Sequence, residues 1–349
     1  MGYNIYYINP AIKSDMLQPT EIKVFLVFNI PNHPRDIVAF AAKSLNVTRT
    51  TIHRHMNALI KQQKVSRTGT TKQTNYYLTN QRNRTYTFTM NSKLKEDIVW
   101  NEDLKPQLIG VNNNIRDIIQ YGFTEIFNNV LDHAFATNII VSINWEGEMI
   151  RLAVEDNGVG VFERLNRVFH YKDNRETLLQ LSKGKLTTDP VNHTGEGLFF
   201  TSRVFDYFYL TANGLCFFRN NKELDWAVES VPLKKGTQVL MEISQNSTRR
   251  TTEIFSKYTE NFEFSKTDLL VDLSQFAGER LISRSQAKRL FTEIEPFTSV
   301  TLDFAKVAIV GQGFVDEVFR VYPAKNKNIK INYINANDDV TFMIKRSLP

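Results

Sequence analysis

The stretch LAVEDNGVGVF, residues 152–162, runs from an apolar strand into Asp156, Asn157 and two glycines, Gly158 and Gly160. Asp-Asn-Gly is a turn signal. The same residues also suit a ligand that approaches bare backbone with Asp156 aimed at it, and the local sequence leaves both readings open. Two further glycine pairs, Gly195-Glu-Gly197 and Gly311-Gln-Gly313, invite a dinucleotide reading. None of the three completes G-x-G-x-x-G, because Glu163, Phe200 and Asp316 occupy the third positions. Gly184-Lys185 is followed by Leu186, and no glycine stands five residues before Gly184, so a P-loop is absent as well. The six histidines are scattered without an H-E-x-x-H pair, which argues against a zinc site.

The elements that would position such residues form an ordered series. YGFTEIFNNVLDHA, residues 121–134, reads as a helix with Glu125 and Asn129 four apart on one face and His133 one turn further. EDNGVGVF follows some 30 residues later, then NHTGEGLFFTSRVFD, a glycine pair opening an apolar helix, then GTQVLMEI, a strand beginning at Gly236-Thr237. This order resembles the GHKL ATPase family of gyrases, chaperones, histidine kinases and mismatch-repair ATPases, over about residues 95–245.

The resemblance implies ATP and Mg²⁺ as cofactors. It implies that Asp156 accepts a hydrogen bond from the adenine amino group, that Gly158 and Gly160 let the purine lie against the backbone, and that Thr237 sits near adenine. It further implies that Asn129 holds Mg²⁺ and that Glu125 orients or deprotonates the attacking water. Gly195 and Gly197, with Thr194 and Leu198 beside them, would meet phosphates at a helix N-terminus. The span 163–194 would be a mobile lid, with Lys183 and Lys185 as candidate phosphate ligands. No phosphoacceptor His stands on a dimerising helix just upstream, so a sensor histidine kinase is not expected; the TEIFNNVLDHA form looks closer to the anti-sigma-factor serine kinases.

Upstream, DIVAFAAKSLNVTRTTIHRHMNALIKQQ reads as helix, tight turn, helix. Ile37, Phe40, Ala41 and Leu45 share one face of the first helix. Thr48 can cap the second, whose apolar stripe is Ile52, Met56, Leu59 and Ile60. The opposite stripe is Arg49, His53, Asn57 and Lys61, with Thr50 and Arg54 beside it, and such residues donate to phosphates and base edges. KVSRTGTTKQTNYYLT then reads as a hairpin tipped by Gly69 and flanked by Arg67 and Lys72. Helix-turn-helix plus basic hairpin resembles a winged helix-turn-helix domain with its second helix in a major groove. Residues 1–95 hold 14 Lys/Arg and 3 Asp/Glu, while the remainder holds 29 basic and 34 acidic residues, which favours DNA as the partner of this third. The alternative is a winged helix used for protein contacts or homodimerisation.

Downstream, DLLVDLS, SRSQAKRLFTEIE, SVTLDFA, GQGFVDEVFRVY, NIKINYIN and DDVTFMIKRS alternate strand and helix, as a small α/β layer requires. SVTLDFAKVAIVGQGFVDEVFRVY resembles the core strand, loop and helix of STAS domains, the fold of the anti-sigma kinases' partners. The loop that carries a phosphorylated Ser in anti-sigma antagonists reads Val310-Gly311-Gln312-Gly313-Phe314 here, without a hydroxyl.

The expected organisation is a multidomain α+β chain. A winged helix-turn-helix domain spans 1–83, a GHKL α/β sandwich (Bergerat fold) 84–245, a linker 246–264 around SQNSTRRTTE, and a STAS-like α/β domain 265–349. The expected function is an ATP/Mg-dependent regulatory switch, a slow ATPase controlling DNA binding and a STAS-like interaction domain. Alternatives are a protein Ser/Thr kinase of the anti-sigma type acting on a separate partner, and a slow ATPase in a multiprotein, defence-like complex. The chain is 349 residues with 42% hydrophobic and 23% charged residues, and its single Cys216 excludes an intrachain disulfide. No apolar run approaches a membrane span, MGYNIYYINPAIKSD lacks the form of a secretory signal, and Tyr6 breaks the N-myristoylation pattern. A cytoplasmic protein is the expectation.

Overall fold

The computed structural model describes residues 19–30, 32–62, 64–68, 74–78, 83–189, 194–274 and 281–348. The chain divides into two compact units, residues 1–83 and 84–349.

The first unit holds helices α1 (Pro19–Asn29), α2 (Ile37–Ser44) and α3 (Arg49–Lys61), followed by an antiparallel pair, β1 (Val65–Thr68) and β2 (Asn75–Leu78). Ile22 and Leu26 of α1, Ile37 and Ala41 of α2, and Ile52 and Met56 of α3 are buried together. The turn between α2 and α3 passes through Asn46 at φ 51, a left-handed conformation that Asn tolerates. Thr48 then caps α3, its side chain accepting from the Thr51 N–H at 3.1 Å. The hairpin tip around Gly69, with Lys72, lies outside the described residues.

The second unit begins with β3 (Arg84–Thr89) and α4 (Glu96–Val99), which runs on through further helical turns to Leu108. The helices α5 (Asn113–His133), α6 (Val161–Phe169), α7 (Asn174–Lys183) and α8 (Gly197–Val204) accompany β4 (Asn138–Glu146), β5 (Met149–Asp156), β6 (Tyr207–Ala212), β7 (Leu215–Asn220), β8 (Asp225–Ser230) and β9 (Thr237–Ser244). The seven strands form an antiparallel sheet in the order β3-β4-β5-β9-β6-β7-β8. Along β5, buried Ile150, Leu152, Val154 and Asp156 alternate with half-buried neighbours, the period of a sheet with one densely covered face. α5 supplies that cover with Ile115, Ile118, Ile119, Phe123, Ile126 and Phe127.

Next come α9 (Thr251–Tyr258), the two-residue strands β10 (Thr259–Glu260) and β11 (Glu263–Phe264), and a three-stranded parallel sheet. Its strands are β12 (Lys266–Leu270), β13 (Ser299–Asp303) and β14 (Lys330–Ile334), in that order, with Leu269 beside Leu302 and Leu302 beside Tyr333. Helices α10 (Arg284–Leu290), α11 (Gln312–Asp316), α12 (Tyr322–Lys325) and α13 (Asp338–Ser347) complete it. The Ser283-x-x-Gln286 sequence forms a reciprocal capping box at the start of α10, worth on the order of 1 kcal/mol. No helix among the described residues is long and apolar enough to cross a membrane.

Residues 246–264 correct the linker expectation. The polar SQNSTRR stretch is a turn leading into α9, and the residues after it carry apolar side chains that are built into the fold. The Phe255 ring lies 4.5 Å from that of Phe200 and 5.2 Å from that of Tyr121, and Phe264 lies 4.6 Å from Phe199 and 5.3 Å from Phe297. The buried residues of both sheets therefore form one continuous core. Phe264→Ala should cost about 3–5 kcal/mol, and calorimetry should show the whole of residues 84–349 unfolding at a lower temperature in one transition. Loss of the C-terminal sheet alone, with the seven-stranded sheet unaffected, would contradict a shared core.

Candidate functional site

The ends of α5, β5 and β9 and the start of α8 converge on a cleft with an empty volume of about 1040 Å³ that opens to solvent. Asp156 ends β5 and is 3% exposed. Its Oδ1 accepts the Gly158 N–H at 2.7 Å and its Oδ2 the Thr237 N–H at 3.2 Å. Burial raises the carboxyl's pKa above the ordinary range, and these two backbone donors pull it back toward the ionised form. Thr237 works twice, since its Oγ1 also accepts the Val161 N–H at 3.0 Å at the start of α6. Asn157 points the other way: its Oδ1 accepts the Thr137 and Asn138 N–H groups at 2.9 and 3.0 Å, fastening the β5 exit to the start of β4. The Asp-Asn-Gly sequence is thus both a turn and a carboxylate held at a cleft.

Glu125 and Asn129 line the cleft from α5, with His133 one turn on. Glu125 stands against Gly197, the first residue of α8, where a side-chain methyl would collide with its carboxylate. Burial, then the nearby charges of Glu125 and Glu196, raises the pKa of Tyr121. Of the residues named from the sequence, Glu125, Asn129, Asp156, Gly160, Thr194, Gly195, Gly197, Leu198 and Thr237 all line this cleft.

Two do not. Gly158 faces α5 instead: a methyl on it would strike the Ala134 carbonyl, so its bareness serves packing and the hydrogen bond to Asp156. Lys183, expected at phosphates, is 1% exposed, and its Nζ donates to Gln180 Oε1 at 2.5 Å and to the Thr292 carbonyl at 2.6 Å. It is the last residue of α7 and does not line the cleft. Lys185 is likewise turned away, with Nζ 3.3 Å from the Pro296 carbonyl and over the rings of Phe264 and Phe297. The span expected as a lid contains α7, whose Leu178, Leu179 and Leu181 are buried.

The sequence reading missed Arg164, Leu186, Thr187 and Thr188, which also line the cleft. Arg164 sits over the Phe135 ring at 4.8 Å, and Thr188 Oγ1 lies 3.4 Å from His133 Nδ1. The helical spacing of Val161, Arg164 and Leu165 could have revealed the first; KLTT has no period of its own. Among the described residues no group of three or more His, Cys, Asp or Glu could hold a metal ion.

In the first unit, Arg49, Thr50, His53, Arg54, Asn57 and Lys61 are exposed on α3, opposite buried Ile52, His55, Met56 and Leu59, and Arg67 is exposed on β1. Burial, helped by Arg54 and Lys23, lowers the His55 pKa, so the inner face is uncharged near neutral pH while the outer one is basic.

Residues 286–341 match the family described as a STAS-like domain of unknown function (DUF4325). The parallel strands and helices described above contain this STAS-like domain. No match was found among curated proteins. A solved structure described as a candidate ICLR transcriptional regulator from Silicibacter sp. TM1040 is 11% identical, covering 67% of this chain and 92% of its own, with a TM-score of 0.17, a likeness too slight to carry any argument. The STAS-like domain grips α7 from outside the cleft. Besides Lys183, the Tyr171 hydroxyl donates to Glu293 Oε2 at 2.9 Å, and the Thr267 hydroxyl, on the adjoining β12, donates to the Lys183 carbonyl at 2.7 Å.

Burial drives the Lys183 ammonium down to about 7, against the attraction of Glu293, Glu295 and Glu176. Its folded pKa then lies below its unfolded one of about 10.4. The unfolded chain binds more protons between these values, so stability should rise from about pH 7 to pH 10 and the gain should be lost as pH falls back through 7. Lys183→Met should flatten this part of the profile of melting temperature against pH. An unchanged slope in the variant would place the titration elsewhere.

Proposed function

We propose that the chain is an ATP- and Mg²⁺-dependent switch of the GHKL type, in which a Bergerat-fold ATPase is joined to a winged-helix DNA-binding unit and to the STAS-like domain. One observation carries this reading: Glu125, Asn129, Asp156, Gly195, Gly197 and Thr237, far apart in the chain, line one cleft. The cleft suits a nucleotide. Val130, Val154, Val161, Leu165, Leu210 and Val239 offer apolar surface for a base, and a few polar groups converge at the ends, the usual anatomy of a small-molecule site.

Asp156 retains acceptor capacity beyond its two backbone donors and would read the adenine amino group. The N-terminus of α8, with Gly195 and Gly197, would meet the phosphates. Asn129 offers an amide oxygen to Mg²⁺, which neutralises phosphate charge when bound. Glu125, against Gly197, would orient or deprotonate a water. α3 and β1 would meet DNA through Arg49, Thr50, His53, Arg54, Asn57, Lys61 and Arg67, with cytoplasmic transcriptional control as the output.

Two carboxylates with different tasks separate binding from turnover. Asp156→Asn should weaken ATP binding about tenfold to a hundredfold, since a hydrogen bond to a charged group is worth about 1.5–3 kcal/mol. Glu125→Ala should still bind ATP while hydrolysis falls by about 10²–10⁴. Calorimetry and phosphate release measure the two, with ATP preferred over GTP because guanine carries an oxygen where adenine carries the amino donor. Wild-type hydrolysis by Glu125→Ala would remove its assigned role. With γ-labelled ATP, label on a separate protein would instead favour a kinase of the anti-sigma type.

The exposed cations of α3 generate a second expectation. DNA affinity should fall with salt at a log–log slope of about −0.9 per neutralised phosphate. Changing Arg49, Arg54 and Lys61 together to Ala should reduce that slope by up to about three such increments. Equal affinity and slope in the triple variant would make this unit a protein-contact or dimerisation module.

A further inference from the structure

Behind the cleft, across the wall formed by Leu181, Leu198 and Leu210, lies a second, smaller cavity with an empty volume of about 310 Å³. Residues of α7, α8, β6 and β7 line it, and two arginines, Arg203 and Arg219, lie among them with Ser182 and Ser202. Arg203 is 3% exposed. Its Nη1 donates to the Phe199 carbonyl at 3.1 Å and to Ser202 Oγ at 3.2 Å, while its guanidinium stacks 3.4 Å over the Phe199 ring. Its Nε and Nη2 are buried without a hydrogen-bond partner. Arg219 donates from Nε to Asn221 Oδ1 at 2.9 Å.

Neither arginine has a carboxylate within 4 Å among the described residues. The acids whose charge reaches Arg219 are hydrogen-bonded elsewhere. Asp268 accepts from the Tyr258 hydroxyl at 2.5 Å, and Asp303 Oδ1 accepts from the Ala305 N–H and Asn335 Nδ2 at 2.9 Å each. Burial, and then the charge of Arg203, drives the Arg219 pKa down to about 10 despite the longer-range attraction of Asp268 and Asp303.

Two guanidiniums lining one small cavity, Arg219 half-buried and Arg203 almost fully buried with two unused donors, are a costly arrangement unless something negative joins them. Water can take up the donors but brings no negative charge to them. We propose that Arg203 and Arg219 together hold a small monovalent inorganic anion, of the size and charge of chloride, in this cavity. A larger oxyanion or a nucleotide phosphate does not suit it, because the remaining lining of leucine and phenylalanine side chains offers no further donors. The site is separate from the cleft and does not depend on what the cleft binds.

The probe is halide, on the full chain. Crystals grown in bromide should show an anomalous peak between Arg203 and Arg219. At matched ionic strength, chloride or bromide should raise the melting temperature above that in gluconate by about 2–4 °C, saturating with concentration, as a ligand of the folded state does. Arg219→Met, which keeps an unbranched side chain but removes the cation, should lose this anion dependence. Absence of the bromide peak, with ordered water in its place, would overturn the proposal whether or not the variant folds. A melting temperature that follows ionic strength alone would overturn it too.

Discussion

The buried carboxylate of Asp156 is the constraint around which the half of the second unit built on the seven-stranded sheet is arranged. A charge at 3% exposure has to be hydrogen-bonded to be tolerated, and the only donors that can reach it without adding bulk are backbone N–H groups. Gly158 supplies one by turning back at once after β5, which demands that nothing stand between it and the end of α5. Thr237 supplies the other from the first residue of β9, and Gly236 before it, at φ +83, leaves no room for a side chain against the Asp156 carbonyl. Because the Thr237 hydroxyl also receives the Val161 N–H, the same contact fixes where α6 begins. One carboxylate thus sets the relative positions of α5, β5, α6 and β9, the elements that wall the cleft.

A second constraint is that α7 has two masters. Its apolar residues Leu178 and Leu181 also line the small cavity behind the cleft, while its C-terminal Lys183 is enclosed by the STAS-like domain. An ammonium buried this deeply is held by its contacts to Gln180 and Thr292 and by the attraction of Glu293, Glu295 and Glu176, so separating the domain from α7 would expose a group that gains from hydration. The docking of the STAS-like domain is therefore a balance of apolar burial, at Phe264 and Phe297, against a polar cost, rather than a uniformly sticky surface.

Much of this was legible in the sequence because it rests on local rules. The α3 stripe follows the helical period, the capping of α3 follows Thr48, and the cleft residues follow the spacing of Glu125 and Asn129 and of the glycine pairs. What was not legible depends on contacts between distant segments. SQNSTRR reads as linker because it is polar, yet Phe255 and Phe264 just beyond it are core residues. Lys183 reads as a phosphate ligand because the resemblance places it in a mobile lid; its burial follows from β12 packing on α7, which no local pattern announces. Gly158 reads as a gap for a ligand, whereas the gap is filled by the Ala134 carbonyl.

These two constraints meet at a single peptide. Lys185, at φ 63, sends its side chain to the Pro296 carbonyl and the Phe264 and Phe297 rings of the C-terminal half, and the next residue, Leu186, lines the cleft with Thr187 and Thr188. The backbone of Lys185 and Leu186 also lies against Gly195, where any side chain would collide with it, so the segment leaving α7 and the one entering α8 are pressed together. A cleft ligand can move an equilibrium only by preferring one arrangement over another. Here Leu186 follows directly on a side chain anchored against the STAS-like domain, and Gly195 lies against the same backbone. Under the proposed switch, a link this short would need no long relay of side chains.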